Sequence, residues 1–277
     1  MRKHAQKGEK ILKIYRLVTQ INKLNYDEAK TLITKFSKKI EEKDNDLLIV
    51  TPGGFINDEF PKKLIKKIGW DSQKEEFPKL IEFAENRMFQ KFLTKDIRKI
   101  LKETSKIITL GFDLNGEEEE AELVAVYDTQ KEKVLKWTGK SYPTSFQEDK
   151  LFHIKEVETH FFEYDKERIL VLGCHDLNIF SPRSKANRLA TSLRGKLCSD
   201  FISKTKKFNP TIVIQHPHTT DSSRIWSQGW SGIRQLFPKL KAYCSGICYY
   251  YHDYEERSPI ESVLKSTKNE NIIDIVL

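Results

Sequence analysis

No stretch of the chain is apolar for long enough to cross a bilayer. Runs such as Ile169–Leu172 end within a few residues, whereas a spanning helix needs about 20. The basic opening Met1–Lys10 is followed by no apolar core with a cleavage site, so no secretory signal is expected and the expected compartment is the cytoplasm. Cysteine is scarce, four in 277 residues, too few for a disulfide framework. Cys244 and Cys248 stand at Cys-x3-Cys with no second pair at zinc-finger spacing, and read as core or strand residues. Flexible linkers and internal repeats are also missing. One domain over 11–277 is expected, after a flexible basic N-terminus at 1–10.

Acidic charge is in deficit: 40 Asp and Glu against 48 Lys and Arg give a net charge of +8 and a pI near 9.1. Such a balance raises the question of nucleic acid. The sequence has no zinc finger, no aromatic–glycine RNA-binding signature and no compact basic block. Lys38-Lys39, Lys62-Lys63 and Lys66-Lys67 read as solvated faces, so nucleic acid is not an expected partner and a basic nucleic-acid-binding module stands as the weaker alternative. With 38% hydrophobic and 32% charged residues, the composition is globular.

Periodicity places the elements. Ile11–Ile21 reads as a strand. Asn25 or Asp27 caps a helix to about Glu42 with Ala29, Leu32, Ile33, Phe36 and Ile40 on one face. Leu47–Thr51 is a buried strand stopped by Pro52-Gly53-Gly54. Phe77–Thr104 is helical in two pieces and Lys106–Gly111 is a strand. Leu123–Tyr127 and Lys133–Trp137 make a hairpin, and Glu117–Glu120 is a solvated acidic loop. His160–Tyr164 and Arg168–Leu172 form another strand pair. Ser184–Lys204 is helical, Pro210–Gln215 a strand, Trp226–Leu236 a helix and Ala242–Tyr251 a strand. Ile272–Leu277 can add a last strand. Alternating strands and helices indicate an α/β fold.

Two strand ends carry chemistry. The apolar run Ile169–Gly173 stops at Cys174, followed by His175 and Asp176. A thiol at a strand end can be both exposed and held still, as a nucleophile requires. By itself such a cysteine is more often a small core residue. Lys140-Ser-Tyr-Pro-Thr-Ser-Phe-Gln-Glu148 follows the hairpin. A thiolate could attack the carbon of an amide or nitrile, an ammonium could stabilise the developing oxyanion, and a carboxylate could move protons.

From its first strand to about Tyr251 the chain resembles the nitrilase superfamily of carbon–nitrogen hydrolases. Lys140–Thr144 after the hairpin is similar to that family's lysine motif, and Leu172–Pro182 to its nucleophile motif. The resemblance implies an αββα four-layer sandwich and a hydrolase of amides or nitriles working through a covalent thioester or thioimidate. It implies Cys174 as nucleophile, Lys140 as oxyanion stabiliser, Glu148 as the second Glu of the amidase branch and the His175 N–H in the oxyanion site. It also implies a homodimer, no cofactor and no metal. One departure stands out. The family's first Glu follows a strand, and here Gly53 occupies that place, with Glu59 six residues on. Losing a general base costs about 10²–10⁴-fold in rate. Either Glu59 or His175 substitutes, or the chain is a degenerate member that binds a small ligand or a partner. If only the base is missing, Gly53→Glu would raise turnover.

Gln215–Arg224 follows a buried strand. His216 and His218, with Asp221, have metal-ligand chemistry but no evident fourth ligand. By the resemblance they border the pocket, so His216 and Arg224 are expected to shape substrate access. Trp226 and Trp230 share a helix face, with at least one turned to the core. Tyr249–His252 reads as an edge or interface strand.

Overall fold

The computed structural model describes residues 12–21, 23–40, 47–61, 63–72, 74–183, 191–219, 222–251, 255–256 and 258–277. The expected N-terminal arm at 1–10, the first part of the helix expected from Ser184, Asp221 and His252 lie outside the described residues.

The first sheet holds β1 (Lys13–Thr19), β2 (Leu47–Val50), β3 (Ile56–Glu59), β4 (Ile107–Asn115), β5 (Glu120–Asp128) and β6 (Lys133–Gly139). The second holds β7 (Phe161–Tyr164), β8 (Glu167–Leu172), β9 (Ile212–Gln215) and β10 (Ala242–Ser245) in the order β10-β9-β8-β7. β11 (Ile247–Cys248) and β14 (Ile272–Val276) return to the first sheet beside β1, and β12 (Tyr250–Tyr251) pairs with β13 (Glu255–Glu256). The expected strand Ala242–Tyr251 is therefore split between sheets. Gly246 is the break: a Cβ there would lie 2.1 Å from the Thr51 carbonyl oxygen.

The helices are α1 (Tyr26–Lys38), α2 (Phe77–Arg87), α3 (Lys95–Thr104), α4 (Leu193–Phe208), α5 (Ser223–Leu236) and α6 (Ile260–Ser266). Asn25 caps α1, its side chain accepting from Asp27 and Glu28 N–H while Glu28 returns to the Asn25 N–H, a reciprocal arrangement that satisfies orphan helix donors. A π-helical turn, Met88–Phe92, separates α2 from α3.

Strand alternation builds the layers. Leu48 and Val50 of β2 meet Ile169 and Val171 of β8 and Ile212 and Ile214 of β9 between the sheets. Leu47 and Ile49 face the other way, against Ile33 and Phe36 of α1 and Leu101 of α3. Leu170 and Leu172 pack on Cys198 and Phe201 of α4 and on Trp230 of α5. The αββα order expected from the sequence is present, because each strand has two apolar faces and each helix one.

The stretch after β2, to which the sequence pattern assigned no element, pairs as a strand. After the turn through Gly53 and Gly54 (φ +60°), β3 resumes parallel pairing with the same β4 that β2 had paired with, at Phe112–Asn115. Among the described residues no helix is long and apolar enough to cross a membrane.

Candidate active site

Lys140 follows β6 and Cys174 follows β8, so the two motifs depend on how closely their strand ends approach. Gly173 lets them touch: a Cβ there would stand 2.7 Å from Lys140 Cα. Asp176 then ties the ends together. Its Oδ1 accepts the N–H groups of Ser141 at 3.0 Å and Tyr142 at 2.7 Å, and its Oδ2 accepts that of Gly173 at 2.8 Å. Burial pushes the Asp176 carboxyl up to about 6 although these donors act in the opposite direction. The Gln215 amide donates to the Cys174 carbonyl and accepts from Ser245 Oγ, fixing the thiol-bearing turn from its other side.

A row of charge crosses β4, β5 and the end of β6. Asp113 stands directly opposite Glu122 in the antiparallel register, and the Lys140 N–H bonds to the Glu122 carbonyl at 2.8 Å. Like charges directly opposite one another destabilise a sheet. A cation from the loop after β9 sits between them: His218 Nε2 is 2.6 Å from Asp113 Oδ2, and its Nδ1 is 3.4 Å from Glu122 Oε2. Burial would push His218 down, but Asp113 foremost, then Glu122 and Cys174, hold it well above the ordinary histidine value. The ring is an imidazolium.

Lys140, 1% exposed, donates from Nζ to Glu122 Oε1 at 2.8 Å and to Gln147 Oε1. An ammonium has three N–H donors, so one is left for a substrate oxygen. Burial opposes its charge, yet Glu122 and then Cys174 raise it above the ordinary lysine value. Burial likewise acts to raise Glu122, and Lys140 and His218 outweigh it to keep the carboxylate ionised.

Cys174 completes the cluster. A ring nitrogen of His218, a carboxylate oxygen of Glu122 and Cys174 Sγ lie within 4.8 Å of one another, and the backbone N–H of His218 donates to Sγ at 3.4 Å. Burial acts to raise the thiol, but His175 and His218 outweigh it and bring it down to about 5. The sulfur opens onto a cavity of about 390 Å³ walled by Tyr142, Leu177, Asn178 and Trp226, with Arg183 at its edge. Cys198, Cys244 and Cys248 are buried.

The structure thus brings Cys174 and Lys140 together and sets His175 beside the thiol, lining the same cavity. It leaves other expected residues elsewhere. Glu59 ends β3, exposed, opposite Asn115. Glu148 turns its carboxylate to Arg194 at 2.6 Å, while its neighbour Gln147 is the one that reaches Lys140. His216 is 1% exposed, and burial pushes it down to about 3. Arg224 lies on the first turn of α5 outside the Cys174 cavity, where Ile225 and Trp226 are the lining residues.

The base position after β2 is closed to a carboxylate. A Cβ on Gly53 would be 2.5 Å from the His216 carbonyl oxygen, and the Gly53 N–H bonds to Pro217 at 2.9 Å. The loop that supplies His218 fills that space, so Gly53→Glu would strain the turn rather than restore a base. Sequence reasoning missed Asp113 and Glu122. Asp113 is the lone acid of its strand, whereas Glu122 shares β5 with Glu120 and Asp128 and carried no such signal.

Glu122, Cys174 and His218 are donor types that zinc accepts. The Lys140 ammonium on Glu122 and the imidazolium of His218 place two positive charges in that space, which opposes a third.

No protein-family model matches the chain, and no curated protein matches it. Among solved structures, an amidase of the nitrilase superfamily from Nesterenkonia sp. AN1 is similar at 10% identity and TM-score 0.47, covering 82% of this chain and 74% of its own. A CN-hydrolase superfamily protein from Xanthomonas campestris is similar at 13% identity and TM-score 0.44, covering 81% and 71%. The glutamine-dependent NAD+ synthetase of Acinetobacter baumannii is similar at 16% identity and TM-score 0.46, and this chain spans only 38% of it.

Proposed function

We propose that the chain is a carbon–nitrogen hydrolase that attacks a small amide with the Cys174 thiolate. The observation that carries this reading is the meeting of thiolate, imidazolium and carboxylate within 4.8 Å, with the thiol-bearing Cys174 lining a cavity. A buried thiol with no activating partner is inert, whereas one beside a charged imidazole is a nucleophile at neutral pH.

In this reading Cys174 Sγ adds to the amide carbon, and the third N–H of Lys140 meets the oxygen as it gains charge. The proton on His218 passes to the nitrogen, the C–N bond breaks, and amine or ammonia leaves a thioester on Cys174. Neutral His218 then takes a proton from water, whose oxygen adds to the thioester carbon. Collapse releases the carboxylic acid and restores the thiolate–imidazolium pair. Asp113 keeps His218 oriented and charged, and Glu122 holds the ammonium in place. His218 with Asp113 does the proton transfer expected of a glutamate near Gly53.

Incubation with small amides and nitriles while ammonia is measured tests this. Release is expected from the full chain and not from Cys174→Ala. Release that survives in Cys174→Ala refutes the nucleophile. No release from any substrate, with Cys174 unreactive to alkylation, favours the ligand-binding alternative.

A further inference from the structure

A second cavity, of about 360 Å³, lies between α5, α6 and β10, away from the thiol. Three cations line it: Arg224 and Arg234 from α5 and Lys265 from α6. Hydroxyls are interleaved with them, Ser223 and Ser227 on α5 and Ser262 and Ser266 on α6. The spacing explains the convergence. Positions 223, 227, 230 and 234 follow one helical stripe, as do 262, 265 and 266, and the two helices pack together.

Among the described residues no carboxylate lines the cavity and none of the three cations forms an ion pair. This is unlike Lys204, Arg87 or Arg98, each of which has an acidic partner. The Arg234 guanidinium sits 5.9 Å from the centre of the Tyr243 ring. Tyr243 in turn lies on Trp230, with ring centres 4.9 Å apart. Trp230 is 1% exposed and lines the cavity.

We propose that this cavity binds the phosphate group of a small molecule. A carboxylate is planar and is satisfied by a single guanidinium fork. Cations and hydroxyls arriving from two helices suit a tetrahedral dianion, which accepts from many directions. Repulsion among three unpaired cations falls when such a group enters. The volume fits a small ligand and not a folded partner. The site is separate from the Cys174 reading and stands if that reading fails.

Calorimetric titration of the full chain with inorganic phosphate and with a nucleoside monophosphate tests it. Saturable one-to-one binding is expected at constant ionic strength. Tighter binding of the nucleoside would show contacts beyond the phosphate, and equal binding would assign the affinity to the phosphate alone. Arg234→Ala with Lys265→Ala, both exposed positions, should weaken binding about tenfold or more, the loss of one to two charge-assisted contacts. Arg234→Lys should recover part of it. Cys174→Ala should bind as the parent does. Absence of saturable heat with both probes, an unchanged affinity in the double variant, or a loss in Cys174→Ala would overturn the proposal.

Discussion

The reactivity of Cys174 towards iodoacetamide as a function of pH follows from its surroundings. His175, and after it the charged His218, bring the thiol from 9.0 to about 5 against the effect of burial. At pH 6 the thiolate fraction then rises about 900-fold over an ordinary thiol. Nucleophilicity falls as the thiol becomes more acidic, by about 60-fold over this span for a slope near 0.45. The net gain is about 15-fold at pH 6, about 80-fold at pH 5 and close to none at pH 7. The signature is therefore the shape of the profile. The alkylation rate of the native chain should level off above about pH 6, where an ordinary thiol keeps climbing tenfold per unit. Cys174→Ala supplies the baseline from the three buried cysteines. His218→Ala removes the imidazolium beside the sulfur, and the plateau should move up by roughly a unit or more. Glu148→Gln should leave the profile unchanged, since that carboxylate faces Arg194. A native profile that climbs through pH 8, or a plateau indifferent to His218→Ala, would refute the reasoning.

Other outcomes follow from the same geometry. Lys140→Met should lower turnover about 10²–10³-fold by removing the oxyanion donor, while Cys174 still alkylates, as kinetics and mass mapping would show. Asp176→Ala strands three backbone N–H groups and should cost about 3 kcal/mol or more in denaturant unfolding. Gly53→Glu should destabilise by about 1–3 kcal/mol through overpacking and give no rise in ammonia release. Asp113→Asn weakens the hold on the imidazolium, so His218 should titrate at lower pH by NMR and the acidic plateau of Cys174 reactivity should shrink.

The layers were legible in the sequence because strand and helix periods write burial directly. Leu170 and Leu172 alternate with Ile169 and Val171, and the structure sends the two pairs to opposite faces of one sheet. The thiol and the ammonium were legible because each ends a strand. The carboxylates were not. Asp113 and Glu122 are far from both motifs in order, and only the antiparallel register sets them opposite one another. His218 was noticed as a metal-type residue, but its partner choice depends on where the loop after β9 lands. Glu148 and Gln147 show the limit most plainly: adjacent residues in one turn point to Arg194 and to Lys140 respectively, a distinction that spacing does not carry. Gly246 was equally silent, since its close approach to Thr51 comes from a distant strand.

The central claim is that a covalent acyl group passes through Cys174. Rapid quenching with acid during turnover of a small amide, followed by peptide mass mapping, measures it. The account predicts an acyl mass on the peptide containing Cys174 that appears before free acid and decays when substrate is exhausted. Ammonia released while that peptide stays unmodified at every time point would contradict it.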